Sequence, residues 1–349
     1  MIQSVAGILI GTPRHHYDHI ASFCVYTGTP LLVSDVVAQE ELERLYPGLL
    51  VLYKDLDELP AFALTNFKAF VSCSPRPFLL QYFGYASETL GKPFLSIFLH
   101  HGNSDKGYAS ALMEGMQYET HTLIYGRKME EFMKEKKVFS QLHGVATIGN
   151  FRERVFTLYR KHFESLLSFT KTKKTVLFAP TWEDSENSCS FFDAINHLLS
   201  NKPQNISLLI KPHPNTVEQH TSEMEVLQGG LPKDVHFITD FPPVYTLLNL
   251  ADVYIGDMSS VGYDFLTYNR PMFFLNKNKR DPATDPGLAL FHCGDILYPS
   301  SFDAVYEIIE DPQIDKKHLR HKMYLHTFDQ APSKGALLHS ISQMERSFV

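Results

Sequence analysis

The sequence predicts an α/β protein with two halves, each built around its own parallel β-sheet. Short apolar runs typical of buried strands alternate with segments of helical periodicity along the chain. This alternation is the pattern of parallel strands joined by helical crossovers. The composition also shifts over residues 151–174, where a helix-like segment ends in the Thr- and Lys-rich stretch "SFTKTKK". We therefore predict domains at 1–165 and 166–325, followed by a helix over 326–349 that packs back on the first domain.

Apolar runs mark the predicted strands in chain order. In the first half they are "VAGILIG", "PLLVS", "LLVLY", "FKAFVSCS", "PFLSIFL" and "HTLIYG", and "GVATIGN" closes the half. In the second half they are "TVLFAPTW", "ISLLIKPHP", "VHFITD", "DVYIGD" and "PMFFLN". Segments with helical spacing lie between them, among them "YDHIASFCVYTG", "AQEELERLYPG", "RKMEEFMKEKKVF", "FFDAINHLLS", "PPVYTLLNLA" and "FDAVYEIIED". Both halves thus have the order of Rossmann-like domains.

The composition is that of a soluble globular protein, with 44% hydrophobic and 20% charged residues in 349. The net charge of −7 argues against broad nucleic-acid binding, which needs a basic face. The four cysteines are far apart and form no CxxC pair, so neither a zinc site nor a disulfide framework is indicated. No apolar run approaches the ~20 residues of a membrane span, and the N-terminus is interpreted as a strand rather than a signal peptide.

Ligands of open parallel sheets bind beyond the carboxyl ends of the strands. One polar cluster in that position is "DVYIGDMSSVGYDF", where Ser259 and Ser260 open a helix. Backbone N–H groups without partners and the helix dipole favour an anion there, so this is a candidate diphosphate site. Asp264 follows one turn later and is a candidate for binding ribose hydroxyls. The alternative is that Asp257 and the two serines only cap the helix.

Two further loops follow strands of the second half. "LLIKPHPN" presents Lys211 and His213 between prolines that restrict the backbone, which suits a departing phosphate. "LFAPTWEDSENS" presents Thr181, whose hydroxyl is a phosphate donor, and Trp182, which shapes the pocket wall. The alternatives are a surface turn for the first loop and a core position for Trp182.

In the first half, "HHGNSDKG" follows the strand "PFLSIFL". His101 before Gly102 is a candidate general base for an acceptor hydroxyl, and Lys106 is a candidate for holding an anionic acceptor. His100 is expected to point the other way along the pleat, into packing. An ordinary polar turn is the alternative.

A second histidine cluster, "GTPRHHYDH", also follows a strand. Its spacing matches no zinc pattern, and we do not expect its side chains to converge on one point. We therefore predict no metal site here, and either acceptor binding by His15 and His16 or helix capping by Asp18.

The segment "RKMEEFMKEKKVF" presents Met129, Phe132, Met133 and Lys136 on one side of a helix. A basic amphipathic helix of this kind either lies on an anionic membrane surface or turns these side chains into the core. Peripheral membrane contact is therefore one of the expectations.

Several motifs occur together in one order: the HG loop with its lysine, then "APTW", "KPHP" and "DMSSVGYDF…NRPMFF". This order resembles the CDP-glycerol glycerophosphotransferase family, whose members include teichoic acid primases and polymerases. The resemblance runs from about residue 92 to residue 300. It implies a GT-B fold, in which two Rossmann-like domains face each other across a cleft and the second holds the donor nucleotide. It also implies that no metal or other cofactor is required.

The resemblance also implies roles for individual residues. His101 is similar to the family's general base, and His213 to the histidine near the donor phosphates. Ser259 and Ser260 are similar to the diphosphate-binding pair, Asp264 to the ribose-binding acid, and Thr181 borders the donor.

The chain departs from the family at three positions. His100 stands where an aromatic residue is usual, Lys211 where an arginine is usual, and Glu183 follows the Pro-Thr-Trp motif. Glu183 removes a positive charge that could have met the donor diphosphate, which bears on donor identity more than on fold.

The expected function is transfer of a glycerol-phosphate or similar polyol-phosphate group from a CDP-activated donor to a hydroxyl acceptor, with release of CMP. The acceptor is expected to be a glycan or a lipid-linked glycan, and the location the cytoplasm or the inner face of the cell membrane. The alternatives are a GT-B glycosyltransferase that uses a nucleotide sugar, a UDP-sugar epimerase, and an inactive GT-B module that binds a polymer or a partner protein.

Overall fold

The computed structural model describes residues 4–108, 111, 113–239, 241–311, 315–328 and 330–348. The chain divides into two compact units. The first unit contains residues 1–101, 113–166 and 326–349, and the second contains residues 102–112 and 167–325. The sequence-based boundary placed residues 102–112 with the first half, whereas the structure groups this segment with the second unit.

The first unit is built around a seven-stranded parallel sheet with the order β3-β2-β1-β4-β5-β6-β7. Its strands are β1 (Val5–Leu9), β2 (Leu31–Val33), β3 (Val51–Tyr53), β4 (Ala69–Ser72), β5 (Leu95–Leu99), β6 (His121–Ile124) and β7 (Gly144–Thr147). Its first six helices are α1 (Arg14–Thr27), α2 (Val36–Leu45), α3 (Leu59–Asn66), α4 (Arg76–Leu90), α5 (Arg127–Glu135) and α6 (Phe151–Ser165).

The second unit is built around a six-stranded parallel sheet with the order β10-β9-β8-β11-β12-β13. Its strands are β8 (Lys174–Phe178), β9 (Ile206–Ile210), β10 (Val235–Phe237), β11 (Val253–Gly256), β12 (Met272–Leu275) and β13 (Asp295–Leu297). Its helices are α7 (Phe191–Ser200), α8 (Pro214–Gln219), α9 (Thr221–Gly229), α10 (Val244–Leu250), α11 (Ser260–Phe265) and α12 (Val305–Glu310).

Two helices follow near the end of the chain. Helix α13 (Lys317–Phe328) begins in the second unit and ends in the first, and α14 (Lys334–Phe348) belongs to the first unit. Three buried side chains of α14, Leu337, Ile341 and Met344, lie four and three residues apart, which is the spacing of one helix face.

The central strands are apolar on both faces because helices cover both sides of each sheet. All five residues of β1 are buried, as are all five of β9. Gly7 in β1 allows α1 to pack closely, since a Cβ atom at this position would stand 2.4 Å from the Sγ atom of Cys24. The four cysteines are buried free thiols.

Helix α5 turns its apolar side chains inward. Met129 is 5% exposed, Phe132 3% and Met133 0%, and Lys136, just beyond the helix, pairs with Glu114 at 3.4 Å. The alternative in which these side chains enter a membrane is therefore wrong for this conformation, and the core alternative is correct. Over the residues that the structure describes, no helix is both long and apolar enough to span a bilayer.

Candidate functional site

Each sheet has one point at which the strand order reverses, and ligands of open α/β sheets bind beyond the carboxyl ends of the strands at such points. In the first unit this point lies between β1 and β4, and in the second between β8 and β11. The predicted site residues of the second unit follow β9, β8 and β11, which are adjacent strands. The sheet therefore brings Lys211, His213, Thr181 and the serine pair to one edge.

Asp257, directly after β11, organises this edge of the second unit. It is 1% exposed. Its carboxylate accepts hydrogen bonds from the Thr181 N–H at 2.7 Å and from the N–H and hydroxyl of Ser190, both at 2.8 Å. Burial raises the pKa of Asp257 to about 6, although these hydrogen bonds act in the opposite direction. Asp257 thus holds the loop after β8 rather than capping α11, and that part of the capping alternative is wrong.

The two serines differ in their surroundings. The Oγ atom of Ser259 accepts a hydrogen bond from the Val261 N–H at 3.4 Å, so this residue caps α11 as the alternative predicted. Ser260 is the first residue of α11 and is half-buried. The donor role of both residues stays a prediction.

His213 is the N-cap of α8. Its Nδ1 atom accepts a hydrogen bond from the Asn215 N–H at 3.1 Å. A neutral imidazole that accepts at Nδ1 carries its proton at Nε2, so Nε2 is a hydrogen-bond donor. Trp182 lies beside it, with the two ring centroids 6.1 Å apart. This geometry fits a histidine that donates to a phosphate oxygen.

Asp264 is 2% exposed and accepts a hydrogen bond from the hydroxyl of Tyr245 at 3.2 Å. The carboxylate therefore lies inside the unit, between α10 and α11. Binding to a ribose hydroxyl would require it to leave this environment, so its ribose role stays a prediction that the burial does not favour.

Lys106 is also buried, at 6% exposed. Its ammonium lies 2.5 Å from Asp184, donates to the Trp182 carbonyl at 3.2 Å, and stands 5.2 Å from the centroid of the Trp182 ring. An acceptor anion would have to compete with Asp184 for this cation. The observed contacts give Lys106 a part in holding residues 102–108 on the second unit.

Three charged residues at this edge were not singled out from the sequence. Asp105 accepts from the Tyr263 hydroxyl at 2.6 Å and from the Leu290 N–H at 3.1 Å. Lys277 lies 3.5 Å from Glu183, so the charge of Glu183 has a cation beside it. Arg280 contacts Asp285 at 2.6 Å. Local patterns gave no signal for Asp105 and Lys277, because their partners Tyr263 and Glu183 lie in other segments of the chain.

In the first unit, four histidines lie together, and we call His15, His16, His19 and His101 the imidazole cluster. The ring centroid of His101 lies 5.7 Å from that of His15, 4.9 Å from that of His16 and 6.3 Å from that of His19. The expectation that the N-terminal histidines do not converge is therefore wrong. They converge because β1 and β5 both end at the same edge of the sheet. No group of His, Cys, Asp or Glu side chains within the described residues is arranged to hold a metal ion.

Three imidazoles of the cluster, those of His16, His19 and His101, have lowered pKa values that favour the neutral form. Burial lowers the pKa of His16 to about 2, and repulsion from His101 and His15 adds to this shift. Burial also lowers the pKa of His19 well below its usual value, with Arg152 as the next cause. Desolvation by neighbouring protein atoms lowers the pKa of His101 as well, and repulsion from His15 adds to this shift. The side chain of His101 is exposed to solvent, so water limits the size of that last shift but not its direction.

Tyr125 connects the cluster to the strand end that carries His101. Its hydroxyl donates to the His100 carbonyl at 3.1 Å and lies 2.8 Å from the Nδ1 atom of His19. Because a phenol has one proton, the hydroxyl accepts from His19, which places the proton of neutral His19 on Nδ1. His100 is 7% exposed and packs against Phe98, with the two ring centroids 4.9 Å apart, which fits the expected packing role.

Asp18 does not cap α1. It accepts hydrogen bonds from the Tyr46 hydroxyl at 2.9 Å and from Arg152 at 3.0 Å. The N-cap position of α1 is Pro13, which provides no side-chain hydrogen bond. The capping alternative for Asp18 is therefore wrong.

Comparison with known proteins finds a family that part of the chain resembles. Residues 153–290 match the model of the family described as CDP-Glycerol:Poly(glycerophosphate) glycerophosphotransferase. This range contains the loops of Thr181, His213 and the serine pair. The teichoic acid ribitol-phosphate polymerase TarL of Staphylococcus aureus (strain NCTC 8325 / PS 47) is 27% identical over 239 residues, which are 63% of this chain and 38% of TarL. The chain thus spans well under half the length of this curated relative.

Two solved structures show the fold. A variant of the wall teichoic acid polymerase TagF soaked with CDPG has a TM-score of 0.63 at 13% identity, covering 99% of this chain and 89% of that one. The co-structure of S. aureus MnaA with UDP has a TM-score of 0.60 at 11% identity, covering 99% and 97%. The predicted α/β GT-B fold is confirmed. Over residues 153–290 the chain is similar to the CDP-Glycerol:Poly(glycerophosphate) glycerophosphotransferase family, as the order of its motifs predicts.

Proposed function

We propose that this protein transfers a glycerol-phosphate or similar polyol-phosphate group from a CDP-activated donor to a hydroxyl of a glycan or lipid-linked acceptor in the synthesis of a cell-surface polymer. One observation carries the proposal. The loops of His213, Thr181 and Ser260 follow three adjacent strands at the switch point of the second unit, within the segment that matches the family.

The second unit would hold the donor. The Nε2–H group of His213 and the hydroxyl of Ser260 are hydrogen-bond donors at one edge of the sheet. Lys211, after β9, adds a cation. Such donors suit a diphosphate, and they would stabilise the charge that develops on it as the bond to CMP breaks.

His101 of the first unit would act as the general base. The acceptor oxygen attacks the β-phosphorus of the donor, and the bond from that phosphorus to the oxygen bridging the two phosphates breaks. CMP leaves with that oxygen, and the proton of the acceptor hydroxyl passes to His101. The lowered pKa keeps this imidazole unprotonated before the reaction. The negative charge of a bound donor would raise the pKa again and make His101 a stronger base.

The proposal includes metal independence and a cytoplasmic location, at the inner face of the membrane where the acceptor is lipid-linked. The histidine, lysine and serine donors would supply the charge stabilisation that a metal ion supplies in other phosphoryl transfers. Activity that is unchanged by a chelator would support this part of the proposal, and activity that requires added Mg²⁺ would contradict it.

The test combines binding with product analysis. We expect CDP-glycerol and CDP to bind the purified protein more tightly than UDP or GDP, and Ser260→Ala to weaken both CDP ligands. His101→Gln should lower kcat by about a hundredfold to ten-thousandfold, because a general base acts in the transition state. Its dissociation constant for CDP-glycerol should stay close to that of the native protein.

The opposite outcomes are equally specific. A preference for UDP together with a glycosidic product would establish a glycosyltransferase instead, and a rearranged sugar still attached to its nucleotide would establish an epimerase. The absence of binding to every nucleotide would favour the binding-module alternative. Loss of donor binding in His101→Gln would remove His101 from the role of base.

A further inference from the structure

We propose that Lys106 is a positioning residue for His213: it fixes the indole of Trp182, and that indole fixes the imidazole of His213 for the donor phosphates. This role rests on the proposed function and deepens it, because it assigns the residue that orients the donor histidine. It differs from the role that the sequence suggested for Lys106, which was to hold an anionic acceptor. All three residues belong to the second unit.

The ammonium of Lys106 makes three contacts with the loop after β8. It lies 2.5 Å from the carboxylate of Asp184 and donates to the carbonyl of Trp182 at 3.2 Å. It also stands 5.2 Å from the centroid of the Trp182 ring, which is within the range of a cation–π contact. A carboxylate, a carbonyl and an aromatic ring, all within three residues, therefore share one cation.

The backbone on either side of Lys106 is anchored as well. Asp105 accepts a hydrogen bond from the Tyr263 hydroxyl at 2.6 Å. The Gly107 N–H donates to the carboxylate of Glu186 at 2.6 Å. The Lys106 side chain between these two points is 6% exposed. Because the side chain is held at its backbone and at its ammonium, little freedom remains and the position of the ammonium is well defined.

Asp184 connects the lysine to the whole turn after Trp182. One of its carboxylate oxygens accepts from the Glu186 N–H at 3.0 Å and from the Ser188 hydroxyl at 3.1 Å. The other oxygen contacts Lys106. The Asp184 side chain is 13% exposed, so removal of the ammonium would leave a largely buried carboxylate without this cation, which is costly. The turn is then expected to rearrange, and Trp182 with it.

Trp182 contacts His213 in turn. The two ring centroids are 6.1 Å apart and the ring planes are tilted by 36°, within the range of roughly 4.5–7 Å at which aromatic rings attract each other. Both residues are half-buried. The hydrogen bond from the Asn215 N–H to Nδ1 sets the tautomer of His213, and the neighbouring indole limits rotation of the ring plane. The Nε2–H group therefore keeps one direction.

The first measurement follows this geometry in the full chain without a nucleotide. The NMR signal of the His213 ring, assigned by its loss in His213→Gln, reports the indole beside it through the ring current. Acrylamide quenching reports the exposure of Trp182, the single tryptophan of the chain. We expect Lys106→Met, which keeps the length of the side chain and removes its charge, to shift the His213 signal and to increase the quenching of Trp182.

Lys173→Met is the matched control. Lys173 pairs with Asp234 at 2.7 Å in the same unit, and it stands directly before β8, at the opposite edge of the sheet. This variant should leave both signals unchanged. If circular dichroism shows that Lys106→Met is unfolded, Asp184→Asn, which removes the anionic partner and keeps its shape, is measured by the same two signals and should change them in the same direction.

The second measurement is a double-mutant cycle on donor binding. CDP-glycerol and CDP are titrated into the native protein, Lys106→Met, His213→Gln and the double variant. We expect Lys106→Met to weaken both ligands by about tenfold, the effect of losing a hydrogen bond to a charged group. The double variant should bind no more weakly than His213→Gln, because a lysine that acts through the histidine has nothing left to position.

The positioning role is overturned if Lys106→Met leaves the His213 signal and the Trp182 quenching unchanged. It is also overturned if the two losses of affinity add in the double variant, or if Lys106→Met raises only the KM for the acceptor. Failure of the proposed function has a different signature, namely no binding of CDP-glycerol or CDP to the native protein. The two signals recorded without a nucleotide would then still decide whether Lys106 positions His213.

Discussion

The two units place opposite kinds of polar residues at their switch points. In the second unit, Asp257 is buried but accepts three hydrogen bonds, and Asp105 accepts bonds from Tyr263 and Leu290. In the first unit, the Nδ1 atom of His16 has no partner in the part of the chain that the structure describes. The two carboxylates of the second unit use their hydrogen bonds to fix loops, whereas one nitrogen of the buried His16 ring makes none. Burial alone therefore does not show which polar groups hold loops in place, whereas the hydrogen bonds that they make do.

The comparison predicts the largest stability loss where the hydrogen bonds are most complete. Asp257→Asn replaces one carboxylate oxygen with an NH₂ group, which cannot accept from both Thr181 and Ser190. We expect the free energy of unfolding to fall by about 1–3 kcal/mol, the cost of leaving a buried N–H group unpaired. Urea denaturation followed by the fluorescence of Trp182, the single tryptophan of the chain, reports this loss in the second unit.

Asp281→Asn is the control for that substitution. It removes the same charge at an exposed turn, where the carboxylate accepts from the Ala283 N–H, and should change stability by less than about 0.5 kcal/mol. Equal denaturation midpoints for the two variants would show that Asp257 does not hold the loop after β8.

Acid should affect the two units in opposite directions. Burial lowers the pKa of His16 to about 2 in the native state, against about 6.5 in an unfolded chain. Below pH 6.5 the unfolded chain therefore binds a proton that the native chain does not. Stability then falls by about 1.4 kcal/mol per pH unit for each such histidine. Asp257 has a raised pKa of about 6, so its contribution to stability grows as the pH falls from 6 towards the unfolded value of 3.8.

We accordingly expect far-ultraviolet circular dichroism to change at a higher pH than the fluorescence of Trp182 during acid titration. His16→Gln should reduce the dependence of unfolding free energy on pH by about 1.4 kcal/mol per pH unit between pH 6 and 5. His339→Gln, at an exposed position, should leave it unchanged. Coincident acid transitions for both signals, unaffected by His16→Gln, would show that the neutral imidazoles do not set the acid stability.

The smallest effect concerns the link between the cluster and β5. Tyr125→Phe removes the hydroxyl that donates to the His100 carbonyl and contacts His19. We expect a loss of about 1 kcal/mol in unfolding free energy, typical of one hydrogen bond. Chemical denaturation of Tyr125→Phe measures this loss. Tyr85→Phe is the control, because Tyr85 is 82% exposed. Identical stability in the two variants would mean that the Tyr125 hydroxyl contributes nothing to the position of this strand end.

The sequence predicted the strands well because both sheets are covered on both faces, so that each strand is a short apolar run. It missed β13, which has only three residues and begins with Asp295. It also left α3 and α4 unassigned between their strands. The order of the motifs was sufficient to indicate the family, since each motif stands directly after a strand.

The candidate site was predicted less completely. The sequence placed His15, His16 and His101 at strand ends but did not show that β1 and β5 bring them together, because strand order in a sheet is not visible in local patterns. Lys106 resembled an available cation for the same reason, since its partner Asp184 is distant in the chain. Pairing between loops is the information that periodicity lacks.

The second unit is not a continuous piece of the polypeptide. Its segment 102–112 precedes helices α5, α6 and α14 of the first unit in the chain. Asp105, in this segment, lies 158 residues before its partner Tyr263. A fragment that begins at residue 167 would therefore present the Tyr263 hydroxyl and the Leu290 N–H without their carboxylate. A unit can be exchanged between relatives in the laboratory or in evolution. Such an exchange keeps this contact only when residues 102–112 are exchanged together with residues 167–325.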